Sequence, residues 1–355
     1  MAGSAAVGIG ISALICTRNG SRTLGRAIAA CERALATHGA SGSEILVVDN
    51  DSSDDTRAIV LGLSSRSRVP IRLLSASPAG KTNAFYVGVR HAACELITIV
   101  DDDVYVEHDF FRLVAAFFEA HSEVGIIGSA NRLADGVAVP DWFACVASTM
   151  YACGDPVLSG NRLHLPEGRV TADFSMPPGA GMTFRRDVLI AALNGGFRFF
   201  NDTERSKRIT GEDTELCMLF WSLGWRFGFD PRLRLQHDLD PARLTAARHR
   251  DIVFAQGAGG VAVAAFLQSR RFEGKRPPLR LRWQWQAARA IKVLLASMLR
   301  LPRRLSEPAP RRIPLPGGVT HAWGALLRLL QTRGRYDEYV HLICTAPWAR
   351  RRVRW

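Results

Sequence analysis

The chain has 355 residues, 47% hydrophobic and 22% charged, a globular balance that excludes disordered, collagen-like and disulfide-scaffold chains. Its seven cysteines include no CxxC pair, which argues against both a disulfide framework and a zinc ribbon and favours a reducing compartment. The net charge of +13 is uneven: residues 1–269 hold 26 Lys and Arg against 29 Asp and Glu, residues 270–355 hold 20 against 4, so the globular part is slightly acidic and no nucleic-acid partner is expected.

Met1 to Gly10 is small and apolar without a basic n-region, so Ile11 to Cys16 is expected as a first strand rather than a signal peptide, and the protein is not expected to be exported. Further strands are expected at Glu44 to Val48, Ile71 to Leu74 and Leu96 to Val100, each ending in a polar cluster. Between them, amphipathic helices are expected at about Arg22 to His38, Ser53 to Leu63 and Thr82 to Cys94. This β-α-β-α alternation predicts an α/β fold with a mostly parallel sheet covered on both faces and ligands at the carboxyl ends of its strands. Past about residue 130 the alternation weakens into Gly- and Pro-rich stretches at Asp173 to Arg185 and Gly195 to Arg208, then a helix at Glu212 to Leu223. Ile252 to Leu267, interrupted by Gln256 and three glycines, falls short of the ~20 residues of a spanning helix and is expected to be buried or re-entrant. From Arg270 onward Arg, Pro and Trp dominate, as in Pro302-Arg303-Arg304 and Trp348-Ala349-Arg350-Arg351-Arg352.

Asp101-Asp102-Asp103 directly follows an apolar strand, a repulsive placement that a bound cation would relieve. Hard oxygen ligands suit Mg2+ or Mn2+, which commonly take one or two carboxylates and complete their shell with water and phosphate oxygens. The alternative is a solvated acidic turn. Asp49-Asn50-Asp51 also ends a strand, and Asp49 there can accept hydrogen bonds from a base or ribose, although a loop or helix cap has the same composition. In Gly211-Glu212-Asp213-Thr214-Glu215 the acids open a helix, where its dipole favours negative charge; a carboxylate held there can also serve as a general base. Gly179-Ala180-Gly181 permits close backbone approach to a ligand or a tight turn.

In this order the motifs resemble those of the family 2 glycosyltransferases over about residues 9 to 260: Ile11 to Asn19, Val47-Val48-Asp49-Asn50, Val100 to Val104, Gly179 to Met182 with Phe184-Arg185-Arg186, Gly211 to Glu215, and Gly224-Trp225 leading to Pro231 and His237. The resemblance implies a GT-A (Rossmann-like) nucleotide-diphospho-sugar fold and an inverting, cation-dependent transferase of the kind that builds bacterial cell-surface polysaccharide or glycolipid. It implies Asp213 as catalytic base, with Glu212 beside it, and Asp103, Asp101 and His237 toward the metal. Nucleotide-sugar contacts are implied for Thr17, Arg18, Asn19, Asp49, Asp51, Lys81, Asn83, Asp101, Asp102 and Gly181. Many relatives carry an Asn in the helix after Gly80 where this chain has Tyr86. The implied partners are a nucleotide-diphospho-sugar donor and a glycan or lipid-linked acceptor.

Two other classes fit parts of the chain. A strand ending in Asp-x-Asp also suits metal-dependent phosphoryl or nucleotidyl transfer, although Val104-Tyr105 is unlike an aspartyl phosphatase. The Arg- and Trp-rich tail alone suits a non-catalytic membrane-surface module. The division expected is a catalytic domain over 1–269, with a nucleotide-sugar half to about 130 and an acceptor half beyond, followed by a basic helical extension over 270–355. Within the extension Trp283, Ala287, Ala290, Ile291, Leu294, Leu295, Met298 and Leu299 recur at helical spacing, bordered by Arg282, Arg289, Lys292 and Arg300. Such a helix can pack on the domain; the charge around it favours peripheral attachment to an anionic cytoplasmic membrane face.

Overall fold

The computed structural model describes residues 8–147, 169–171, 176–201, 211–272, 274–300 and 317–346. Four strands, β1 (Ile11–Thr17), β2 (Glu44–Asp49), β3 (Ile71–Ser75) and β4 (Leu96–Ile99), alternate with α1 (Leu24–His38), α2 (Thr56–Ser64) and α3 (Lys81–His91). There follow β5 (Val104–Val106), α4 (Phe110–Ala120), β6 (Val124–Leu133), β7 (Arg169–Thr171), β8 (Thr183–Arg185), α5 (Arg186–Asn194), α6 (Glu212–Ser222) and β9 (Arg226–His237). The chain continues through α7 (Ala246–Ser269), α8 (Trp283–Leu299) and α9 (Gly317–Thr345), the last broken at Arg333. Pro302-Arg303-Arg304 and Trp348 to Arg352 lie outside the described residues.

The strands form one sheet in the order β3-β2-β1-β4-β8-β6-β9-β5, with β7 on β9. The parallel arrangement expected from the alternation holds for β3-β2-β1-β4. Beyond β4 the sheet is mixed: β8 runs antiparallel to β4 and β6, β5 and β7 run antiparallel to β9, and β6 and β9 are parallel. A parallel neighbour needs a crossover element, whereas β5, only four residues past β4, turns straight onto a different strand.

Successive side chains of a strand point to opposite faces, so β1 feeds two cores. Ile11, Ala13 and Ile15 pack with α1 and the Phe-rich α4; Leu14 packs with Leu46, Val48, Phe184 and the helices of the other face. That second core also contains Leu281, Ala287, Leu326, Leu329, Tyr336, Tyr339, Val340 and Ile343. The division at residue 269 is therefore one of charge, while the apolar packing runs across it.

The basic segment is partly spent inside the fold. The Phe200 carbonyl accepts hydrogen bonds from Arg328 (2.9 Å) and Arg335 (3.0 Å), whose guanidiniums lie 4.9 and 5.3 Å from the Phe200 ring centre. The next layer is Glu215 of α6, fully buried, which accepts the amides of Phe200 (2.7 Å) and Asn201 (2.8 Å) and the Tyr339 hydroxyl (2.9 Å). Burial raises the Glu215 carboxyl to about 7 against these three donors. The clamp ties α9 to α6, the helix that opens with Glu212 and Asp213.

The apolar run expected at 252–267 extends to a helix of 24 residues, long and apolar enough by length and composition to cross a membrane; 56% of its most apolar window is buried in this fold. α7 is pressed against α9: a Cβ on Gly257 would strike the His321 carbonyl, and one on Gly324 the Phe254 carbonyl. In α8 only the first half of the expected apolar face is packed, through Trp283, Ala287, Ala290 and Leu294. Ile291, Leu295, Met298 and Leu299 (82% exposed) are in solvent, as is Trp285.

Candidate active site

The carboxyl ends of β1, β2 and β4 open on one cavity of about 1020 Å³, at the large end for a ligand site. Cys16, Thr17, Arg18, Asn50, Lys81 and Asp101 to Asp103 line its sheet side. The turn after β4 separates the three aspartates by function. Asp102 accepts the Thr17 hydroxyl at 2.5 Å, and burial with its two acidic neighbours raises its carboxyl to about 6. Asp103 faces the other way, because Val104 pairs with His237 across β5 and β9 and the Asp103 carbonyl accepts the Asp238 amide at 2.8 Å. Its carboxylate lies 3.4 Å from His237 Nε2 and 3.7 Å from Arg243 Nη1. Burial opposes its charge, but the His237 hydrogen bond and the Arg243 guanidinium outweigh it and hold the carboxyl below its ordinary value.

The opposite side is the start of α6. Gly211 adopts φ 116, a left-handed conformation open to glycine, and turns the chain so that Glu212 and Asp213 face the cavity. Glu212 Oε1 pairs with Lys81 Nζ at 2.6 Å; burial works against its charge, the ammonium prevails, and its carboxyl is lowered. Asp213 Oδ1 accepts the Thr214 amide at 2.8 Å and the Thr214 hydroxyl at 3.4 Å, and burial followed by the Glu212 charge raises its carboxyl. Two adjacent acids are thus driven apart, one fixed as an anion and the other poised to take a proton. Cys16 also lines the cavity, but burial pushes its thiol up to about 12, which makes it a poor nucleophile.

Of the residues singled out in the sequence, Thr17, Arg18, Lys81, Asp101, Asp102, Asp103, Glu212, Asp213 and His237 meet in this cavity. Five do not line it. Asn19 (φ 55) accepts the Ser53 amide; Asp51 (φ 61) is an exposed turn residue; buried Asp49 binds the Ser52 amide and Arg57. Asn83 donates to the Pro78 carbonyl at 2.7 Å, and Gly181 packs so closely on Ser129 and Leu235 that a Cβ would collide with both. Tyr86 is structural too: its hydroxyl accepts the Phe199 amide at 3.0 Å and its ring stacks on Phe199. Sequence reasoning missed Arg243 and Arg248, which carry no local signal, and the α7 face Ile252, Gln256, Gly259, Gly260, Val263, Ala264 and Leu267. The glycines and glutamine interrupting that apolar run were its trace.

Asp101 and Asp103 bring carboxylate oxygens to the cavity, with His237 beside Asp103, and carboxylates are the hard donors that suit a cation taking the rest of its shell from water and a diphosphate; Arg243 beside Asp103 would have to give way to it. Among the described residues no group of three or more His, Cys, Asp or Glu side chains is arranged so that it could hold a metal ion.

Residues 96–327 match the model of Glycosyl transferase family group 2, and residues 12–140 that of Glycosyl transferase family 2. The chain belongs to the family 2 glycosyltransferases and has their GT-A fold. It is similar to an uncharacterized glycosyltransferase of Nostoc sp. (strain PCC 7120), 31% identical over 183 residues, which are 50% of this chain and 52% of that protein. The chain thus spans about half the length of the curated relative it matches. Among solved structures it resembles the mannosyltransferase PcManGT of Pyrobaculum calidifontis in complex with GDP-Man and Mn2+ (TM-score 0.54, 17% identity, 95% of this chain and 86% of that one). S. aureus TarS 1-349 in complex with UDP is a looser likeness (TM-score 0.49, 16% identity, 92% of each chain).

Proposed function

We propose that this protein is an inverting, cation-dependent glycosyltransferase that moves a sugar from a nucleoside-diphospho-sugar to an acceptor hydroxyl, in the synthesis of cell-surface polysaccharide or glycolipid. The observation that carries this is the single cavity with acidic strand ends and Arg18 on one side and the raised carboxyl of Asp213 on the other. The solved mannosyltransferase is in complex with GDP-Man and Mn2+, which supports a nucleotide-sugar donor and Mg2+ or Mn2+ here. Asp101, Asp103 and His237 would hold the cation, which when bound neutralises the diphosphate leaving group. Thr17, Arg18 and Lys81 orient the donor, with Asn19, Asp49, Asp51, Asn83 and Gly181 shaping the loops around it. The acceptor oxygen bonds to the anomeric carbon, the bond from that carbon to the diphosphate oxygen breaks with its electron pair leaving on the nucleotide, and Asp213 takes the hydroxyl proton. One displacement inverts the anomeric centre and needs no covalent nucleophile.

The test is a hydrolysis screen across nucleotide sugars with Mg2+, Mn2+ or excess EDTA, on the parent and on Asp213→Asn. Activity should require the cation, and the variant should bind donor while losing roughly a hundredfold or more in turnover. Undiminished turnover in EDTA overturns the cation; near-normal turnover in the variant assigns the base elsewhere, Glu212 first.

The exposed half of α8, with Arg289, Lys292 and Arg300 beside it, supports peripheral attachment to an anionic cytoplasmic membrane face. Liposome sedimentation of the parent and of a Leu295→Ser, Met298→Ser, Leu299→Ser triple variant tests it. Binding should need anionic lipid, weaken with salt and fall in the variant; equal binding to neutral liposomes overturns it. Deletion from residue 270 is not a clean control, because it would also remove the clamp on Glu215.

A further inference from the structure

We infer that Lys81 couples donor binding to the catalytic base: its ammonium leaves Glu212 for the donor's diphosphate, and the uncovered Glu212 carboxylate makes Asp213 the stronger proton acceptor. This rests on the transferase reading above and deepens it, since Lys81 acts on the proton transfer through the neighbour of the base.

The Lys81–Glu212 ion pair bridges the two walls of the cavity. Lys81 begins α3, whose entry is fixed to the sheet by the Gly80 amide donating to Asn50 Oδ1 at 2.6 Å, and its side chain crosses to Glu212 of α6 at 2.6 Å. The partners are unequal in freedom. The Lys81 side chain is 62% exposed on a flexible alkyl stem, while that of Glu212 is 12% exposed. Glu212 is also held by its other oxygen, Oε2, which accepts the Gly211 amide at 3.1 Å. The ammonium can therefore swing away, and the carboxylate stays beside Asp213.

The anion that draws it away is the donor's. Lys81 stands in the first turn of α3, so the positive end of the helix and the ammonium face the same cavity, at the strand ends where a nucleoside diphosphate binds. Glu212 and Asp101 outweigh burial and keep the ammonium charged, so it meets the diphosphate as a cation.

Asp213 feels the exchange. The groups that act on it are Glu212 and Cys217 of its own helix, Lys81 from α3 and Asp101 from the turn after β4, while the loop before β8 and α7 present Gly179 and Gly259, which carry no charge. Lys81 is the cation of that set. While it sits on Glu212 it offsets the carboxylate next to Asp213; once it has moved, the uncovered charge disfavours a second anion and Asp213 holds a proton more tightly.

The experiment takes the nucleotide sugar that the parent turns over fastest with Mn2+ and follows kcat and kcat/KM through the acid limb of the pH profile. The limb of kcat/KM reports the free enzyme and that of kcat the complex, so in the parent the second should lie at higher pH by roughly one unit. Lys81→Met should raise the kcat/KM limb to meet the other and increase the donor KM by about tenfold, Glu212→Gln should lower the kcat limb toward the first, and Lys81→Arg should keep the two apart. A purely structural role lowers rates and moves neither limb. Independently of turnover, calorimetry of donor binding in two buffers of different ionisation enthalpy should show proton uptake by the parent and much less by Lys81→Met. Coincident limbs in the parent, or limbs that stay apart in Lys81→Met, overturn the inference and leave the transferase reading standing; a parent that turns over no nucleotide sugar brings down both.

Discussion

The cavity wall formed by the ends of β1, β2 and β4 holds its polar groups on backbone already fixed by a parallel ladder, whereas the wall formed by α6 and α7 is held by side chains arriving from α9, far along the chain. On the first wall Thr17 is paired in register with Asp49, and Val100 donates to the Leu14 carbonyl just before the aspartates. On the second, Glu212 and Asp213 sit where they do because Glu215, one turn on, is anchored to Phe200, Asn201 and Tyr339. The difference teaches that the sheet wall is rigid by topology and the helical wall by a buried polar clamp, whose loss would be felt in both stability and chemistry.

The sharpest way to separate the walls is Asp103→Ala. On the sheet wall it should reduce turnover to near background while leaving the melting temperature close to that of the parent, measured by donor hydrolysis and thermal denaturation side by side; a large loss of stability would mean that this wall, too, depends on its side chains. Arg328→Ala should do the reverse in emphasis. It removes a buried charge-assisted bond to the Phe200 carbonyl and a cation over its ring, an expected cost of about 3 kcal/mol by denaturant unfolding, with turnover falling as α6 loosens.

A smaller effect, near 2 kcal/mol, is expected from Glu215→Gln, and it depends on pH. The folded carboxyl is raised from 4.5 to about 7, so the native state holds a proton that the unfolded chain releases. The stability this group contributes is present below about 4.5 and lost as pH rises to about 7. The amide cannot titrate, so the melting temperature of the variant should gain on the parent between those limits; a constant difference would show that Glu215 does not titrate in that range. Smallest should be Arg22→Ala, whose half-exposed pairing with Asp238 at 3.6 Å is screened, at under about 0.5 kcal/mol in the same unfolding assay.

Much of the first wall was legible because its information is local. A buried strand such as Ile11 to Thr17 announces itself as an apolar run, and the residues that follow it must lie at the sheet edge, so the Asp101 to Asp103 cluster was legible from its place after a strand, while Thr17 and Arg18 were singled out through the family resemblance. Asn19, Asp49, Asp51 and Asn83 share that local pattern but serve loop geometry, since a side chain at a strand end can turn to the ligand or to its own backbone, and the sequence carries no sign of which. The tail shows the same limit: its charge was plain, yet Arg328 and Arg335 are folded against Phe200 while the outer half of α8 is in solvent.

By itself the sequence determined the α/β class, the order of the catalytic motifs and the family they resemble, because hydrophobic periodicity and strand-end chemistry act over a few residues. Only the tertiary structure decided that Asp103 meets His237 and Arg243, that Glu212 is neutralised by Lys81 while Asp213 is left basic, and that α7, backed by α9, completes the cavity. Those outcomes depend on β5 pairing with β9 and on helices packing across a shared core, contacts between residues far apart in the chain whose free energy no local pattern encodes.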